Sequence, residues 1–166
     1  MGLEFQCCDQ FGALGHAGAV AQNLLRLEKG FVHYGHDVNA KMSPSQAGMG
    51  FAVSPRKKEY IGRDVHLADL ANGVQSIRHM FSVDGLAGPS QLIPTDSPVY
   101  DRGGSVVGEV SSSGWSFGYT TGVIMAHVDP SHLGKALELE VGKDRFKLEH
   151  LADGALHDPS GALMRG

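Results

Sequence analysis

Hydrophobic positions follow a helical rhythm in the first part of the chain. Over residues 17–29, Val20, Leu24 and Leu27 fall at positions i, i+4 and i+7, which places them on one face of a helix. Gly30 follows where a residue in the left-handed conformation commonly ends a helix. The pattern therefore predicts an amphipathic helix over 17–29 that stops at Gly30.

The segment that comes next is interrupted by glycine and predicts short elements. Ser43 followed by Pro44 is typical of a helix start, and we expect one or two helical turns there. The apolar residues 49–53 predict a buried strand, because a short apolar run between breaks is typical of one.

A second helix is predicted over residues 63–71. Val65 or Leu67, together with Leu70, is expected to face inward at helical spacing. Gly73 follows directly and is expected to end this helix.

The rhythm then changes from helical to alternating. Residues 76–83 alternate, with Phe81 and Val83 on one side, and this period of two predicts a half-buried strand. The stretch 85–98 is rich in glycine and proline. We take it as the boundary between two domains.

Helical periodicity disappears after this boundary, and short strands follow one another. A hairpin is predicted over 98–111, an apolar strand over 122–128, and alternating strands over 136–141 and 145–151. Short strands at this spacing predict a small antiparallel barrel or sandwich. Together with the helices before them, they place the chain in the α+β class.

Composition describes an ordinary globular chain with an excess of glycine. The 166 residues are 42% hydrophobic, and the net charge is −4, which argues against a disordered chain. The 23 glycines are scattered and fit a fold with many tight turns. A pI near 6.1 and the absence of a large Lys/Arg cluster argue against a nucleic-acid partner.

Neither a membrane span nor an oxidising compartment is indicated. The longest apolar stretches are far shorter than the ~20 residues of a membrane-spanning helix. Cys7 and Cys8 are adjacent, and neighbouring cysteines rarely form a disulfide. A reducing compartment fits this usage, and we predict a cytoplasmic location.

Sequence motifs by themselves leave the chemistry open. The chain has no phosphate-binding Walker loop, no nucleophile elbow and no dinucleotide fingerprint. His33 and His36 lie three residues apart without the spacing of a zinc motif, so we expect no metal site. The run Ser111-Ser112-Ser113-Gly114 has the look of a nucleophile loop, but no histidine is placed beside it, which favours part of a strand.

Three stretches in order carry a family resemblance. They are Leu25-Arg26-Leu27-Glu28-Lys29-Gly30-Phe31 with Tyr34-Gly35-His36-Asp37; Ser43-Pro44 with Ala47-Gly48-Met49-Gly50-Phe51 and Tyr60-Ile61-Gly62-Arg63-Asp64; and Ser97-Pro98-Val99-Tyr100 with Val107-Gly108-Glu109-Val110-Ser111-Ser112-Ser113-Gly114. They resemble the C-terminal half of the glycine-cleavage T-protein (aminomethyltransferase) family. The first stretch and His157-Asp158-Pro159-Ser160-Gly161 look closest to the folate-binding part of dimethylglycine and sarcosine dehydrogenases.

The resemblance implies a tetrahydrofolate-dependent one-carbon transferase. Members hold folate in a hollow between three domains, and an aspartate in the N-terminal half stabilises the positive charge that develops during transfer. For this chain it implies that 1–88 is the C-terminal part of the folate-binding α/β domain, with a partial ferredoxin-like α/β layer. It implies that 89–166 is an aminomethyltransferase-type β-barrel domain.

The resemblance also implies five cofactor-binding residues. Gln22 stands where the family has an arginine near folate, and its amide can still form hydrogen bonds. Phe31 matches a family aromatic and is either a stacking wall for the flat pterin or a core residue. Arg26 is either a ligand or part of a structural pair within its helix. Tyr34 and Trp115 are further aromatic candidates.

The half of the family that carries the catalytic aspartate has no counterpart here. We therefore predict no catalytic residue and no transfer by this chain alone. Three functions stay open. The chain is part of a folate-dependent aminomethyl- or methyltransferase, including a split T-protein-like or sarcosine/dimethylglycine-oxidising enzyme, that needs an N-terminal partner; or a non-catalytic binding or assembly module that self-associates; or a metal hydrolase using His33 and His36.

Overall fold

A closed barrel of six antiparallel strands dominates the computed structural model, which describes residues 18–54, 56–151 and 154–165. The strand order around the barrel is β1-β4-β3-β2-β5-β6. The strands are β1 (Ile77–Val83), β2 (Pro98–Asp101), β3 (Val106–Ser116), β4 (Thr121–Val128), β5 (Leu137–Val141) and β6 (Asp144–His150). The predicted α+β class and small antiparallel barrel are confirmed. Cys7 and Cys8 lie outside the described residues.

The alternating pattern of the sequence becomes the two faces of the barrel wall. On β1, Phe81 and Val83 point into the barrel, whereas Met80, directly before Phe81, faces outward and is buried under a helix. Strand β4 is buried from Gly122 to Val128 because both of its faces are covered, and His127 is the polar residue of that stretch. The buried interior consists of Phe81, Val83, Ile93, Val99, Val110, Ile124, Ala126, Val128, Leu137 and Leu139.

Strand β1 closes the barrel by pairing on both sides. It pairs with β4 along its full length, from Ile77 opposite Val128 to Val83 opposite Gly122. It also pairs with the end of β6, where Phe81 lies opposite His150. Since β1 precedes residue 89, the barrel includes a strand from the part of the chain that the resemblance assigns to the preceding domain. The domain division itself stays a prediction.

Helix α1 (Ala19–Glu28) packs against the outside of the barrel through the C-terminal part of its predicted apolar stripe, whereas Val20 at the start of that stripe is 75% exposed. Leu27 is buried together with Met80, Val123 and Met125 in a second apolar cluster. The approach is close at β3, where a Cβ on Gly114 would lie 2.3 Å from Cδ2 of Leu24. The Leu24 side chain thus packs directly against the backbone of β3 at this glycine.

The end of α1 forms a Schellman motif at the predicted glycine. The N–H of Gly30 donates to the carbonyl of Leu27 at 3.0 Å, and the N–H of Phe31 donates to that of Arg26 at 2.8 Å. Gly30 has a φ of +75°, and a Cβ there would lie 2.0 Å from the carbonyl oxygen of Gly154. Glycine is required at this position on both grounds, and it directs the chain back across the barrel.

The segment after α1 departs from the prediction. Residues 43–49 form turns rather than a helix, although the Ser43 hydroxyl accepts from the Gln46 N–H at 3.2 Å in the manner of a helix cap. The predicted buried strand at 49–53 is wrong: Gly50–Ala52 is a 3₁₀ turn, and Phe51 is 86% exposed. A short apolar run cannot by itself distinguish a strand from a turn, and here the glycines favour the turn.

Helix α2 (Arg63–Asn72) confirms the predicted element but not its inward face. Val65, Leu67 and Leu70 are all exposed, and His66 is the buried residue of this helix. The apolar side of α2 therefore has no cover from the described part of the chain. No helix within the described residues has the length and apolar character required to cross a bilayer.

Candidate binding cleft

A cleft of about 790 Å³ lies between α1, the turn that follows it and strand β3. Three of the five predicted ligand residues, Gln22, Arg26 and Tyr34, line it together. Its volume falls within the range of small-molecule sites. The complete lining is Ala19, Val20, Gln22, Asn23, Arg26, Val32, His33, Tyr34, His36, Thr95, Ser111, Ser112 and Ser113.

Phe31 and Trp115 are not among the lining residues. The Phe31 side chain is 51% exposed, and its backbone carbonyl accepts a hydrogen bond from Arg26 at 3.2 Å. Trp115 lies on β3 opposite Gly122 and is partly buried. The structure thus brings three of the predicted residues to one cleft and leaves these two aromatic side chains outside its lining.

Arg26 is held by hydrogen bonds on all three of its nitrogens. Nε donates to Oδ1 of Asn23 at 2.8 Å, and Nη2 donates to the Ser112 hydroxyl at 2.7 Å. Nη1 donates to the Asp37 carboxylate and to the Phe31 carbonyl. A guanidinium has five N–H donors, so these contacts within the described residues leave one for a ligand. One of these partners, Asn23, lies on the same helix, and the choice between the two roles considered for Arg26 stays a prediction.

Asp37 is the buried centre of this network. Its side chain is 0% exposed and accepts from Arg26, from the Ser111 hydroxyl at 2.7 Å and from the His33 N–H at 2.9 Å. Burial by itself would raise the pKa of Asp37. Hydrogen bonds from Ser112, Ser111 and the His33 backbone, together with the Arg26 charge, outweigh burial and lower the pKa below its ordinary value. The carboxylate is therefore ionised and paired at neutral pH.

His127 ties Asp37 to the barrel. Its Nε2 lies 2.6 Å from the backbone carbonyl oxygen of Asp37, to which it donates, and its ring is buried on strand β4. The contact joins the turn after α1 to a strand 90 residues further along the chain. The floor of the cleft is thus a network of hydrogen bonds around Asp37, and this network sets the position of the turn after α1.

The three serines of the suspected nucleophile loop lie within strand β3, and their hydroxyls are engaged. Ser111 donates to Asp37, and Ser112 accepts from Arg26. Ser113 donates to the Ile93 carbonyl at 2.6 Å. Each hydroxyl serves the cleft wall as a hydrogen-bonding group, so the strand interpretation of this run is confirmed.

Sequence reasoning missed Asp37, Ser111, Ser112 and His127 as site residues. Asp37 stands within a quoted stretch, directly after a glycine turn, and that was the available signal. Its partners on β3 and β4, Ser111 and His127, are 74 and 90 residues away in sequence, so only the closed barrel brings them to Asp37.

A second polar pair lies on the barrel outside the cleft. One histidine donates to the other across 2.9 Å between Nε2 of His150 and Nδ1 of His79. Within the described part of the chain, Nε2 of His79 is buried without a hydrogen-bond partner. Burial, followed by the charges of His150 and Arg78, lowers the pKa of His79 to about 4. This imidazole is neutral at pH 7.

Comparisons with known proteins find similarity in the fold and in the region that contains the first quoted stretch, residues 25–37. A family model described as GCVT N-terminal domain matches residues 8–57. The mitochondrial aminomethyltransferase of Pisum sativum is 35% identical over 108 residues, covering 63% of this chain and 25% of that protein. The aminomethyltransferase of a Synechocystis strain is 32% identical over 141 residues, covering 82% of this chain and 37% of that protein.

A solved structure shares the fold. The glycine cleavage system aminomethyltransferase T from Bartonella henselae matches with a TM-score of 0.71 and 23% identity, over 82% of this chain and 38% of that one. The chain thus spans between a quarter and two fifths of the lengths of these relatives. The matched relatives are aminomethyltransferases, and the solved structure shares the fold of this chain.

Proposed function

We propose that this chain supplies the folate-binding cleft of a tetrahydrofolate-dependent aminomethyltransferase. The observation that carries the proposal is the meeting of Gln22, Arg26 and Tyr34 in one cleft of ligand size. The similarity to aminomethyltransferases supports the reaction class.

The cleft fits a flat, polar-edged ring system. Tyr34 is 69% exposed at the edge and offers an aromatic face for stacking. The Gln22 amide both donates and accepts, and so matches a ring edge that carries both kinds of group. Arg26 acts indirectly in this proposal, because its hydrogen bonds hold the floor of the cleft in place. Phe31 and Trp115 would contact the ligand only if it extends beyond the lining of the cleft.

When bound, tetrahydrofolate would supply the amine that takes up the one-carbon unit. The residues of this cleft would bind and orient it and exclude water from one side. We assign no catalytic residue here, because the carboxylate on the cleft floor, Asp37, is already paired and buried. Activity then requires a partner that carries the other wall and the catalytic aspartate, and the chain alone is proposed to be inactive.

Calorimetric titration with tetrahydrofolate tests this proposal. We expect heat of binding from the chain, alone or mixed with the N-terminal half of a related aminomethyltransferase, and a several-fold loss of affinity for Gln22→Ala and Tyr34→Ala. Phe117→Ala is the matched control, since Phe117 is an exposed aromatic residue outside the cleft. The absence of heat both with and without the partner half refutes the proposal.

A second candidate function, an assembly module, is favoured by the exposed apolar side of α2. Val65 and Leu70 on α2, and Ile61 just before it, are each at least 60% exposed, and such surfaces mark interaction sites when they are contiguous. Self-association into a homo-oligomer would cover these side chains. Association with a subunit of a sarcosine- or dimethylglycine-oxidising enzyme would cover them as well. Light scattering that shows a monomer at high concentration argues against self-association, and a Leu70→Glu variant tests the surface if an oligomer is found.

A further inference from the structure

Two imidazoles stand side by side at the edge of the cleft. The ring centroids of His33 and His36 are 4.5 Å apart and tilted by 46°, and both side chains are exposed. Both residues line the cleft, with Tyr34 between them in sequence. The sequence indicates the pair only as candidate metal ligands, and no group of three or more His, Cys, Asp or Glu side chains suited to a metal occurs in the described residues.

The turn that presents these rings is held from below. The His33 carbonyl accepts from the N–H of His36 at 3.1 Å and from that of Asp37 at 2.9 Å. The His33 N–H donates to the buried Asp37 carboxylate at 2.9 Å. Gly35, with a φ of +94°, allows the tight reversal between the two rings. The spacing of the imidazoles is therefore set by the backbone and the cleft floor.

The other charges of the cleft cancel. Arg26 and Asp37 neutralise each other in the floor, and the remaining lining residues are apolar, amide or hydroxyl-bearing. His33 and His36 are thus the lining groups that can add positive charge when the pH falls. The titratable groups facing them from the packed elements are Arg26 on α1, Tyr34 and Asp37 in the turn, His127 on β4, and Asp96 and Glu109 in the depression beside His36.

We propose, on the basis of the proposed function, that His33 and His36 form a subsite for a carboxylate of the cleft's ligand. The subsite binds the carboxylate at acidic pH and releases it as the pH rises. An imidazolium donates from both ring nitrogens, so two of them provide convergent charged donors for one carboxylate. Two protonated rings this close repel each other. A carboxylate between them relieves that repulsion, so anion binding is coupled to proton uptake.

The anion is expected on the α1 side of the pair. Asp96 and Glu109 line the depression on the other side of His36 and disfavour a carboxylate there. On the α1 side the neighbours are Gln22 and Asn23, whose amides are neutral donors. The carboxylate end of a ligand would thus lie next to the groups that hold its ring.

Glutarate is a suitable probe because it carries carboxylates without any ring. Histidine ring resonances are followed by NMR during titration at about pH 6 and about pH 8, values on either side of the ordinary imidazole range. We expect saturable shifts confined to His33 and His36, and about tenfold weaker binding at the higher pH. Calorimetry in buffers of different ionisation heat should show that protons are taken up on binding.

A double variant provides the decisive comparison. His33→Asn with His36→Asn should abolish the glutarate response, while His132→Asn, at a histidine outside the cleft, should leave it unchanged. Equal shifts at all histidines, an unchanged response in the double variant, or tighter binding of inorganic phosphate than of glutarate would overturn the assignment. Because glutarate has no pterin, a failure here is separate from a failure of tetrahydrofolate to bind, which the earlier titration measures.

Discussion

Replacing Asp37 with asparagine tests the central network of the cleft directly. The change keeps the size of the side chain and removes its charge. One of its oxygens becomes an NH₂ group that faces donors, because Arg26, Ser111 and the His33 N–H all point their hydrogens at this carboxylate. The Arg26 guanidinium, whose side chain is 14% exposed, is then left without its counter-ion in a largely buried setting.

The expected cost follows from removing one partner of a buried ion pair. Such changes destabilise proteins by about 3–5 kcal/mol, because the remaining charge stays desolvated and unpaired. Asp37 is fully buried and makes several hydrogen bonds, so we place D37N within that range. Urea denaturation followed by circular dichroism measures it as a lower midpoint at an unchanged slope.

Two comparisons make this measurement decisive. Asp144→Asn removes the same charge at the exposed first residue of β6 and should leave the midpoint unchanged within error. Arg26→Gln combined with D37N should be less destabilised than the sum of the single variants by about 1–3 kcal/mol, because the partners interact directly. A loss below about 1 kcal/mol in D37N, or simple additivity, would refute the idea that this pair organises the cleft.

Three further predictions concern the barrel. Gly108→Ala should destabilise by about 1–3 kcal/mol or more, because its Cβ would lie 2.4 Å from the carbonyl oxygen of His127; Gly118→Ala, with open space around it, is the control in the same urea assay. Leu27→Ala should cost about 2–5 kcal/mol and, by near-ultraviolet circular dichroism, loosen α1; a loss under 1 kcal/mol contradicts the packing described. Because the folded-state pKa of His79, about 4, lies below the ordinary 6.5, the unfolded chain takes up this proton first. The stability that the neutral His79 side chain provides is complete above about pH 6.5 and is lost as the pH falls toward 4. The urea midpoint of His79→Gln should therefore change less with pH across that window than the midpoint of the unaltered chain. Parallel pH profiles of the two proteins would count against His79 as the origin.

The elements that sequence predicts well are those whose pattern is local. Strand β5 alternates apolar and acidic residues, and α1 carries an apolar stripe and a terminal glycine, so period and cap specify each without reference to the rest of the chain. Residues 49–53 and the inward face of α2 were mispredicted because hydrophobicity alone does not say whether a neighbour is present to cover it.

The cleft was predictable only in part for a related reason. Gln22, Arg26 and Tyr34 lie close together along the chain, so the family resemblance of one region predicts all three, and they line the same cleft. The role of Arg26 depends on Asp37 and Ser112, and Ser112 lies 86 residues away. No spacing rule relates those positions, because a hydrogen bond across a closed barrel depends on register and not on sequence distance.

The double pairing of β1 has a consequence for how this chain can be divided. A fragment that begins at residue 89 would lack β1 and would present the unpaired backbone of β4 on one side and of β6 on the other. Such open edges recruit strands from other molecules, so this fragment would aggregate at concentrations where one that begins before residue 77 stays dispersed. The shortest piece of this chain that can be produced as a folded barrel therefore crosses the glycine- and proline-rich stretch at 85–98, and a cut anywhere within that stretch separates the barrel from the strand that seals it.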